Sequence, residues 1–480
     1  MNVINLKEVQ NKTLVKFVIF YCFGLIIFLF LPCKSMYDPD TYWHIKTGEW
    51  IVQNGIPRVD IFSWYGINNG LKWINHEWLF GVVIYFIYNI FQFDGVYYLS
   101  SILSITLYIL IYKWCKKTTK SSWISIFTAI IALIGMIPNV APRPQIFSYC
   151  LFVLFCIFLE DKKYYHVIPI LIIGVNLHGG VYPIYLILAA YYLYKEVSIK
   201  RFFSLMAIYV LSLLINPYTY DIFLYTIKTF MYDRTSIDEW QPVILVNFPL
   251  IIVTVLLMFI FTKYSKLNFK DTLFITIFSV FSIVYKRNMI FIYILSLPVA
   301  AKYFKESIHY YDDVYISKLT KIKKFLHINE KNPRLNLFLV LVIIFIGYTP
   351  LITHKSYELQ ASNKSEYPVE AVEYIKNNKN LTHIMADYGD GGYLIFNDIP
   401  TMVDGRADLF TSAFNNTSIL ADYINVTSLK TDYRDFFQKY GVKYVLIKNN
   451  SSISYVLNLD SNINLIYQDK KYKIFKVNKE

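Results

Sequence analysis

Acidic and imidazole side chains gather in one stretch near the start of the chain, residues 33–77. They are Asp38, Asp40, His44, His76 and Glu77. On a helix, Asp40 and His44 lie one turn apart, so both side chains can face one site. Carboxylates and imidazoles in such an arrangement bind a divalent cation or act as a general base. We therefore predict that Asp38 and Asp40 are catalytic or metal-binding, and that His44, His76 and Glu77 contact the substrate.

A helix is predicted to carry the first of these residues. The Asp40 carboxylate can cap it by accepting hydrogen bonds from the first unpaired amides, and Gly55 is a typical stop after about residue 53. Trp43 and Trp50 lie two turns apart on a neighbouring face, as expected for a helix resting at the lipid headgroups. The alternative is that the two carboxylates only cap this helix and that the imidazole after them only contacts water.

The composition is that of a membrane protein. Of the 480 residues, 55% are apolar and only 17% are charged, whereas soluble domains carry about 25% charged residues. The net charge of +13 comes from short basic runs between apolar stretches. This pattern is typical of membrane proteins and argues against nucleic acid as a partner. The five cysteines form neither a CxxC pair nor a disulfide framework.

Eleven apolar stretches are candidate membrane spans. They lie near Val15–Leu31, Val96–Tyr112, Trp123–Ile137, Ile146–Leu159, Val167–Val175, Val181–Tyr194, Phe203–Ile215, Leu250–Phe261, Thr272–Tyr285, Met289–Ala301 and Leu335–Tyr348. The first is interpreted as a retained helix, because no small-residue cleavage site follows it. We predict a multi-pass protein of the cell membrane, in which residues 1–351 form the membrane domain and residues 33–77 its first outer loop.

A further apolar stretch, Trp78–Phe91, decides the orientation. If it crossed the bilayer, the basic run Lys113–Lys120 would face outward. If it lies along the interface or re-enters, the basic loops collect on the inner side, which the positive-inside rule favours. We therefore predict that Trp78–Phe91 does not cross, that there are about eleven crossings, that the N-terminus is cytoplasmic and that the C-terminus is extracytoplasmic.

The sequence pattern of residues 352–480 predicts a small soluble α/β domain outside the membrane. A helix is expected to begin at Pro368, and another is expected near Tyr433–Tyr440. The predicted strands are His383–Ala386, Thr401–Val403, Tyr444–Ile447, Asn464–Tyr467 and Tyr472–Val477.

Two polar motifs in this domain are interpreted as turns. Asp387–Gly392 lacks both the spacing of a dinucleotide-binding loop and a clear following helix. Asp404–Asp408 could line a cleft, but an Asp-Gly turn with a local ion pair also explains it.

Three basic residues, Arg143, Lys286 and Arg287, lie between predicted outer span ends, against the positive-inside bias. Cations in such positions are costly, which argues that they are used, and arginine suits an anionic phosphate. His178 falls on the same side. We predict that these four side chains bind substrate. The alternatives are that the basic side chains extend to water and that His178 is satisfied at the interface.

The plan of the chain resembles the GT-C class of glycosyltransferases, which includes protein O-mannosyltransferases, oligosaccharyltransferases and transferases that add aminoarabinose to lipid A. The resemblance covers the architecture and, at motif level, about residues 37–80, where a first span is followed by a long outer loop with paired acids. It implies that a loop carboxylate, Asp38 or Asp40, is the base or a ligand of Mg²⁺ or Mn²⁺. It also implies that Asn75–Phe91 packs on the membrane without crossing. Because Pro39 separates the two acids, the resemblance does not identify which of them is catalytic.

The leading hypothesis is therefore an inverting membrane glycosyltransferase. Its partners would be a polyprenyl-phosphate-linked sugar, a glycan, lipid or protein acceptor, and membrane lipids. One alternative is a transporter or flippase for lipid-linked saccharides, which should carry ionisable residues inside several spans, whereas here they lie at span ends. The other alternative is a non-enzymatic protein of envelope assembly.

Overall fold

The computed structural model of the protein describes residues 38–136, 141–232, 240–242, 267–306 and 367–478. This part of the chain is mostly helical and carries a small sheet near its C-terminus. The predicted spans near Val15–Leu31, Leu250–Phe261 and Leu335–Tyr348 lie outside the described residues, as does the boundary between residues 351 and 352.

The first loop begins with helix α1 (Pro39–Asn54), which is capped by Asp38. The Asp38 Oδ1 atom accepts the backbone N–H of Asp40 at 3.0 Å. The cap is therefore Asp38 and not Asp40 as predicted, because proline fits the first helical position and moves the cap one residue earlier. Gly55 ends the helix at a φ of 84°, as predicted. A short helix, α2 (Trp64–Asn69), follows in the same loop.

Helix α1 is covered by protein on the face that was expected to rest on lipid. It packs against helix α3 (Trp78–Thr119) on one side and against the C-terminal domain on the other. Trp43 is only 6% exposed and belongs to the core of that domain, whereas Trp50 is 36% exposed. The prediction for Trp43 was wrong, because a segment some 350 residues later in the sequence supplies the cover.

Helix α3 is kinked at Gln92, whose φ of 54° and ψ of −154° are not helical. Two stretches of α3, Trp78–Val96 and Tyr98–Thr119, are long and apolar enough to cross a membrane. Among the described residues, no other helix meets this criterion. The remaining helices of this part are α4 (Ser122–Met136), α5 (Pro144–Glu160), α6 (Ile168–Leu177), α7 (Tyr182–Leu193), α8 (Ile199–Leu213), α9 (Asp221–Met231), α10 (Phe269–Val284) and α11 (residues 290–306). They coincide with most of the predicted spans, and the number of crossings stays a prediction.

The helical part has polar groups at both ends of α5. Arg143 precedes α5 and contacts the acids of the first loop. Asp161 follows α5 and forms an ion pair with Lys117 of α3. Because α5 has 17 residues, these two clusters are about 25 Å apart. Glu77, which precedes α3, belongs to the Arg143 end. The chain from residue 78 to residue 119 therefore makes one net passage from one end to the other.

The C-terminal domain is built on a four-stranded sheet in the order β1-β2-β4-β3. The strands are β1 (Ile384–Ala386), β2 (Tyr444–Lys448), β3 (Ile463–Gln468) and β4 (Tyr472–Val477). The helices are α12 (Val369–Asn377), α13 (Gly391–Phe396), α14 (Ser412–Asn415), α15 (Ile419–Thr427), α16 (Tyr433–Tyr440) and α17 (Ser452–Leu459). Strands β1 and β2 are parallel, and the other two pairs are antiparallel.

Two local predictions for this domain differ from the structure. Thr401–Val403 is not a strand of the sheet, because Thr401 instead forms a single bridge to Ser63 of the first loop. The last two residues of the motif Asp387–Gly392 begin a short helix, α13, although no helix was expected there.

The first loop and the C-terminal domain share one core. Trp43, Trp64 and Trp73 of the loop pack among apolar residues of the domain such as Met402 and Phe410.

A buried ion cluster joins the same two parts. The Arg406 guanidinium contacts Asp404 and Asp60, each at 2.7 Å, and all three side chains are at most 3% exposed. The guanidinium also lies 4.7 Å from the centre of the Trp73 ring. The loop and the domain therefore form a single unit at the Arg143 end of the molecule.

Candidate active site

A cavity of about 970 Å³ lies between the first loop, the helical part and the C-terminal domain. The predicted site residues that line it are Asp40, His44, His76, Glu77, Arg143, His178 and Arg287. Asp38 lies directly behind this lining, and Lys286 is not part of it. Residues from five separate stretches of the sequence therefore meet at one place.

The paired acids of the loop have different environments. Asp38 is 8% exposed and binds the Arg143 guanidinium with both carboxylate oxygens, from Nε and from Nη2, the latter at 3.0 Å. Asp40 lies 3.1 Å from Nη2 of Arg143 and accepts a hydrogen bond from the Trp43 indole at 2.9 Å, and its side chain is 22% exposed. Asp38 is thus held by a helix cap and an ion pair, whereas Asp40 lines the cavity.

Glu77 is surrounded by three imidazoles. Its carboxylate lies 3.6 Å from Nε2 of His44, 3.6 Å from Nε2 of His76 and 3.5 Å from Nε2 of His178. Burial raises the pKa of Glu77 to about 8, and Asp40 acts in the same direction, while Arg287 and Arg143 oppose it.

The surroundings of His44 and His178 favour the neutral form of both imidazoles. Burial lowers the pKa of both, with further lowering by Arg143 and His76 at His44, and by His76 and Arg287 at His178. Neutral imidazoles are the form that binds metal ions. The neutral imidazoles therefore suit a cation, and Glu77 would release its proton when the cation binds.

The group His76, Glu77 and His178 has the composition of a metal centre. Its ligand atoms all lie within 4.8 Å of one another. Two imidazoles and one glutamate are a donor set of catalytic zinc sites, in which bond lengths of about 2.0–2.2 Å place tetrahedral ligand atoms roughly 3.3–3.5 Å apart. The two N–O distances of 3.5 and 3.6 Å are close to this spacing.

The histidines and Glu77 are positioned by contacts between distant loops. The Trp78 indole donates to Asn176 Oδ1 at 2.9 Å, and the backbone N–H of Gly179 donates to the carbonyl of His76 at 2.7 Å. A Cβ on Gly179 would come within 2.6 Å of the Ile222 Cδ1 atom and 3.3 Å of the His76 carbonyl oxygen, so glycine permits this close approach without a shift of its neighbours. His178 Nδ1 is hydrogen-bonded to Ser148 at 3.0 Å, which fixes the ring while Nε2 faces Glu77.

The two basic residues of the pair 286–287 differ. The Arg287 guanidinium lies 4.6 Å from the centre of the Trp240 ring and lines the cavity. The backbone N–H of Lys286 donates to the carbonyl of Gln241 at 2.9 Å. Arg287 and Arg143 therefore supply the two cations from the predicted set that reach the cavity.

Some residues that line the cavity were not among the predicted site residues. Tyr225 of α9 stacks on His76 with 4.4 Å between ring centres, and its hydroxyl donates to Asp408. Asp408 and Tyr388 of the C-terminal domain also line the cavity. The motif Asp404–Asp408 therefore lines a cleft in addition to forming the predicted local ion pair. No motif in the sequence singles out Tyr225.

Part of the cavity wall is apolar. The residues in question come from α7, α9, α10 and α11 and include Ile184, Leu224, Phe278, Phe281 and Phe291. Polar groups and an apolar wall in one cavity suit a ligand that has a charged head and a hydrocarbon chain.

Comparisons with known proteins identify the fold. No protein-family model and no curated protein matches the chain. Among solved structures, the chain is similar to the crystal structure of ArnT from Cupriavidus metallidurans bound to undecaprenyl phosphate, with a TM-score of 0.50 and 9% identity. The similarity covers 95% of this chain and 97% of that chain. The chain therefore has a GT-C-type glycosyltransferase fold.

Proposed function

We propose that the protein is a membrane glycosyltransferase that moves a sugar from a polyprenyl-phosphate carrier to an acceptor at the outer membrane face. One observation carries the proposal. A single cavity joins the Asp40 carboxylate, the guanidinium groups of Arg143 and Arg287, and an apolar wall, within a fold similar to that of a protein whose structure holds undecaprenyl phosphate.

Arg287 and Arg143 are proposed to bind the phosphate of the carrier. Guanidinium groups match phosphate oxygens in geometry and keep their charge. Arg143 is already oriented by Asp38, so it presents its group with little further ordering. The apolar wall would receive the first isoprene units.

Asp40 is proposed as the base that removes a proton from the acceptor hydroxyl. The hydroxyl oxygen attacks the anomeric carbon as the bond from that carbon to the phosphate oxygen breaks, and the electron pair leaves with the polyprenyl phosphate. A single displacement inverts the anomeric configuration. Asp40 is favoured over Asp38 because its carboxylate lines the cavity, whereas both oxygens of Asp38 bind Arg143.

His76, Glu77 and His178 are the residues proposed to hold a divalent cation. Nitrogen donors favour Zn²⁺ over the Mg²⁺ or Mn²⁺ that the paired acids suggested. When bound, the cation would supply positive charge close to the leaving phosphate. In this proposal Asp38 and Asp40 are not metal ligands, because both already bind the Arg143 guanidinium.

The segment Trp78–Phe91 is proposed to lie on the outer side without crossing. Phe396 of the C-terminal domain contacts both Tyr88 and Phe93, with ring centres 5.5 and 5.7 Å apart. A domain outside the bilayer could not reach the far end of a spanning segment. The single net passage of α3 supports the same topology, with the C-terminal domain extracytoplasmic and Lys117 cytoplasmic.

The purified protein in liposomes provides the test. A panel of polyprenyl-phosphate sugars is supplied, and release of the polyprenyl phosphate is followed by mass spectrometry with and without candidate acceptors. The proposal expects acceptor-dependent release that is lost in Asp40→Asn. Movement of the intact lipid-linked sugar between leaflets without cleavage would show a flippase instead.

A further inference from the structure

A groove outside the cavity combines aromatic, amide and basic side chains. Its volume is about 530 Å³, and it lies where the tip of the first loop meets the C-terminal domain. Residues from both sides line it, among them Trp64, Tyr65, Asn68, His383, Tyr440 and Lys443. Among the described residues, none of those lining the groove is acidic.

The positive charge of the groove is local. Residues 367–478 carry 12 basic and 12 acidic side chains, so the domain as a whole is balanced. Lys439 at the groove pairs with Asp422 at 2.7 Å, whereas Lys443 takes part in no ion pair within the described ranges. Lys443 therefore gives this face a cation that an anionic ligand can neutralise.

The aromatic floor of the groove is fixed by its own contacts. The Trp64 indole donates to the carbonyl of Ile384 at 3.0 Å, and the His383 ring lies 4.8 Å from the Trp64 ring. Tyr65 packs edge to face against Tyr440 with 5.7 Å between ring centres.

These groups match a saccharide. The half-buried rings of Tyr65 and Tyr440 present rigid apolar faces, which suit the C–H faces of a sugar ring. The exposed amides of Asn68 and Asn69 can both donate to and accept from hydroxyls. A peptide of acidic residues would use the lysine but would leave this aromatic and amide surface without a matching partner.

The groove and the cavity are connected through one loop. Arg58, Val59, Lys72 and Trp73 line the cavity, and a backbone bridge joins Val59 to Lys72. The residues between them, 64–69, form the tip that lines the groove. A chain-like ligand could therefore contact both places on the same loop.

We propose that this groove binds an anionic oligosaccharide and is a second contact for the acceptor, outside the transfer cavity. The role in acceptor binding rests on the transferase function proposed above, whereas the binding itself does not.

The test measures binding by the full chain in detergent, without any transfer reaction. Three labelled probes of equal length are compared by thermophoresis: an oligogalacturonate octamer, its fully methyl-esterified form, which has no charge, and a glutamate octapeptide. We expect the charged saccharide to bind at least about tenfold more tightly than either of the others. Its affinity should weaken as salt is raised, because the contact with the exposed lysine is screened.

Matched variants locate the site. Lys443→Gln is expected to weaken oligogalacturonate binding about fivefold, and Asn68→Ala about threefold, whereas Lys430→Gln, at an exposed lysine outside the groove, should leave it unchanged. Equal affinity in Lys443→Gln and Lys430→Gln would overturn the proposal. So would binding of the glutamate peptide that is as tight and as dependent on Lys443, because the groove would then be a site for acidic peptides.

The outcome is separable from that of the proposed transferase. Asp40→Asn leaves the groove residues intact, so it should bind oligogalacturonate as the parent does. If the protein transferred no sugar but bound the probe through Lys443, only the acceptor role would fail.

Discussion

Replacing Asp38 and Asp40 by Asn, one at a time, should separate a role in stability from a role in catalysis. Asp40→Asn keeps the volume of the side chain and leaves the two contacts between Asp38 and Arg143 intact. We expect a change of less than about 1 kcal/mol in the free energy of unfolding, because the exchanged pair is partly exposed. Loss of a general base lowers the turnover number by about 10²–10⁴-fold.

Asp38→Asn should act mainly on stability. Removing one partner of a buried ion pair costs about 3–5 kcal/mol. Here the Arg143 side chain is 26% exposed and keeps Asp40 at 3.1 Å, so we expect roughly 1–3 kcal/mol. Because the amide can still cap α1, the helix itself should persist.

The assay compares thermal unfolding and carrier-lipid turnover for both variants with Asp398→Asn as control. Asp398 carries an exposed carboxylate, 73% accessible, that pairs with Lys46. Turnover of Asp40→Asn at the parent rate would show that Asp40 is not the base. If Asp38→Asn also kept full stability but lost turnover, Asp38 would be the base.

Four further predictions test other parts of the structure. Arg406→Gln should lower the free energy of unfolding by about 3–5 kcal/mol, since it leaves two buried carboxylates without their cation. Arg434→Gln, at an exposed arginine, should leave the melting temperature nearly unchanged in the same experiment. Elemental analysis of the purified protein should find about one zinc per chain, and His178→Ala should lose it; equal zinc in both would exclude the proposed ligand set. Burial raises the pKa of Asp390 to about 7, so the folded protein keeps a proton that the unfolded chain releases near pH 4. The stability of the protein therefore falls as the pH rises from about 4 to 7. Asp390→Asn should raise the melting temperature at pH 8 more than at pH 5, and an equal shift at both pH values would contradict this. A cysteine at position 117 should react with a membrane-impermeant reagent only in opened cells, and labelling in intact cells would refute the topology.

Local patterns in the sequence were sufficient for elements whose determinants are near neighbours. The stop of α1 at Gly55 follows from a conformation that glycine adopts without strain. The apolar residues of Tyr444–Ile447 and Tyr472–Val477 predicted two strands, and these two strands pair with each other in the sheet. The acids and histidines of the first loop were also identified as candidate site residues from their spacing in the sequence.

Contacts between distant parts of the chain could not be predicted in this way. The environment of Trp43 depends on helix α13, and that of Arg406 depends on Asp60, 346 residues earlier. The difference between Asp38 and Asp40 depends on Arg143, which approaches from the start of α5. Both residues are aspartates, so the sequence does not distinguish them, and only the tertiary structure shows which one lines the cavity.

The central claim is that the cavity binds a polyprenyl phosphate through its arginines. Native mass spectrometry of the purified protein with added undecaprenyl phosphate tests it most directly. We predict one lipid phosphate per chain, retained in Lys286→Gln and at least about tenfold weaker in Arg287→Gln, because only Arg287 of the two lines the cavity. Absence of a stoichiometric adduct, or equal loss in the two variants, would contradict the account.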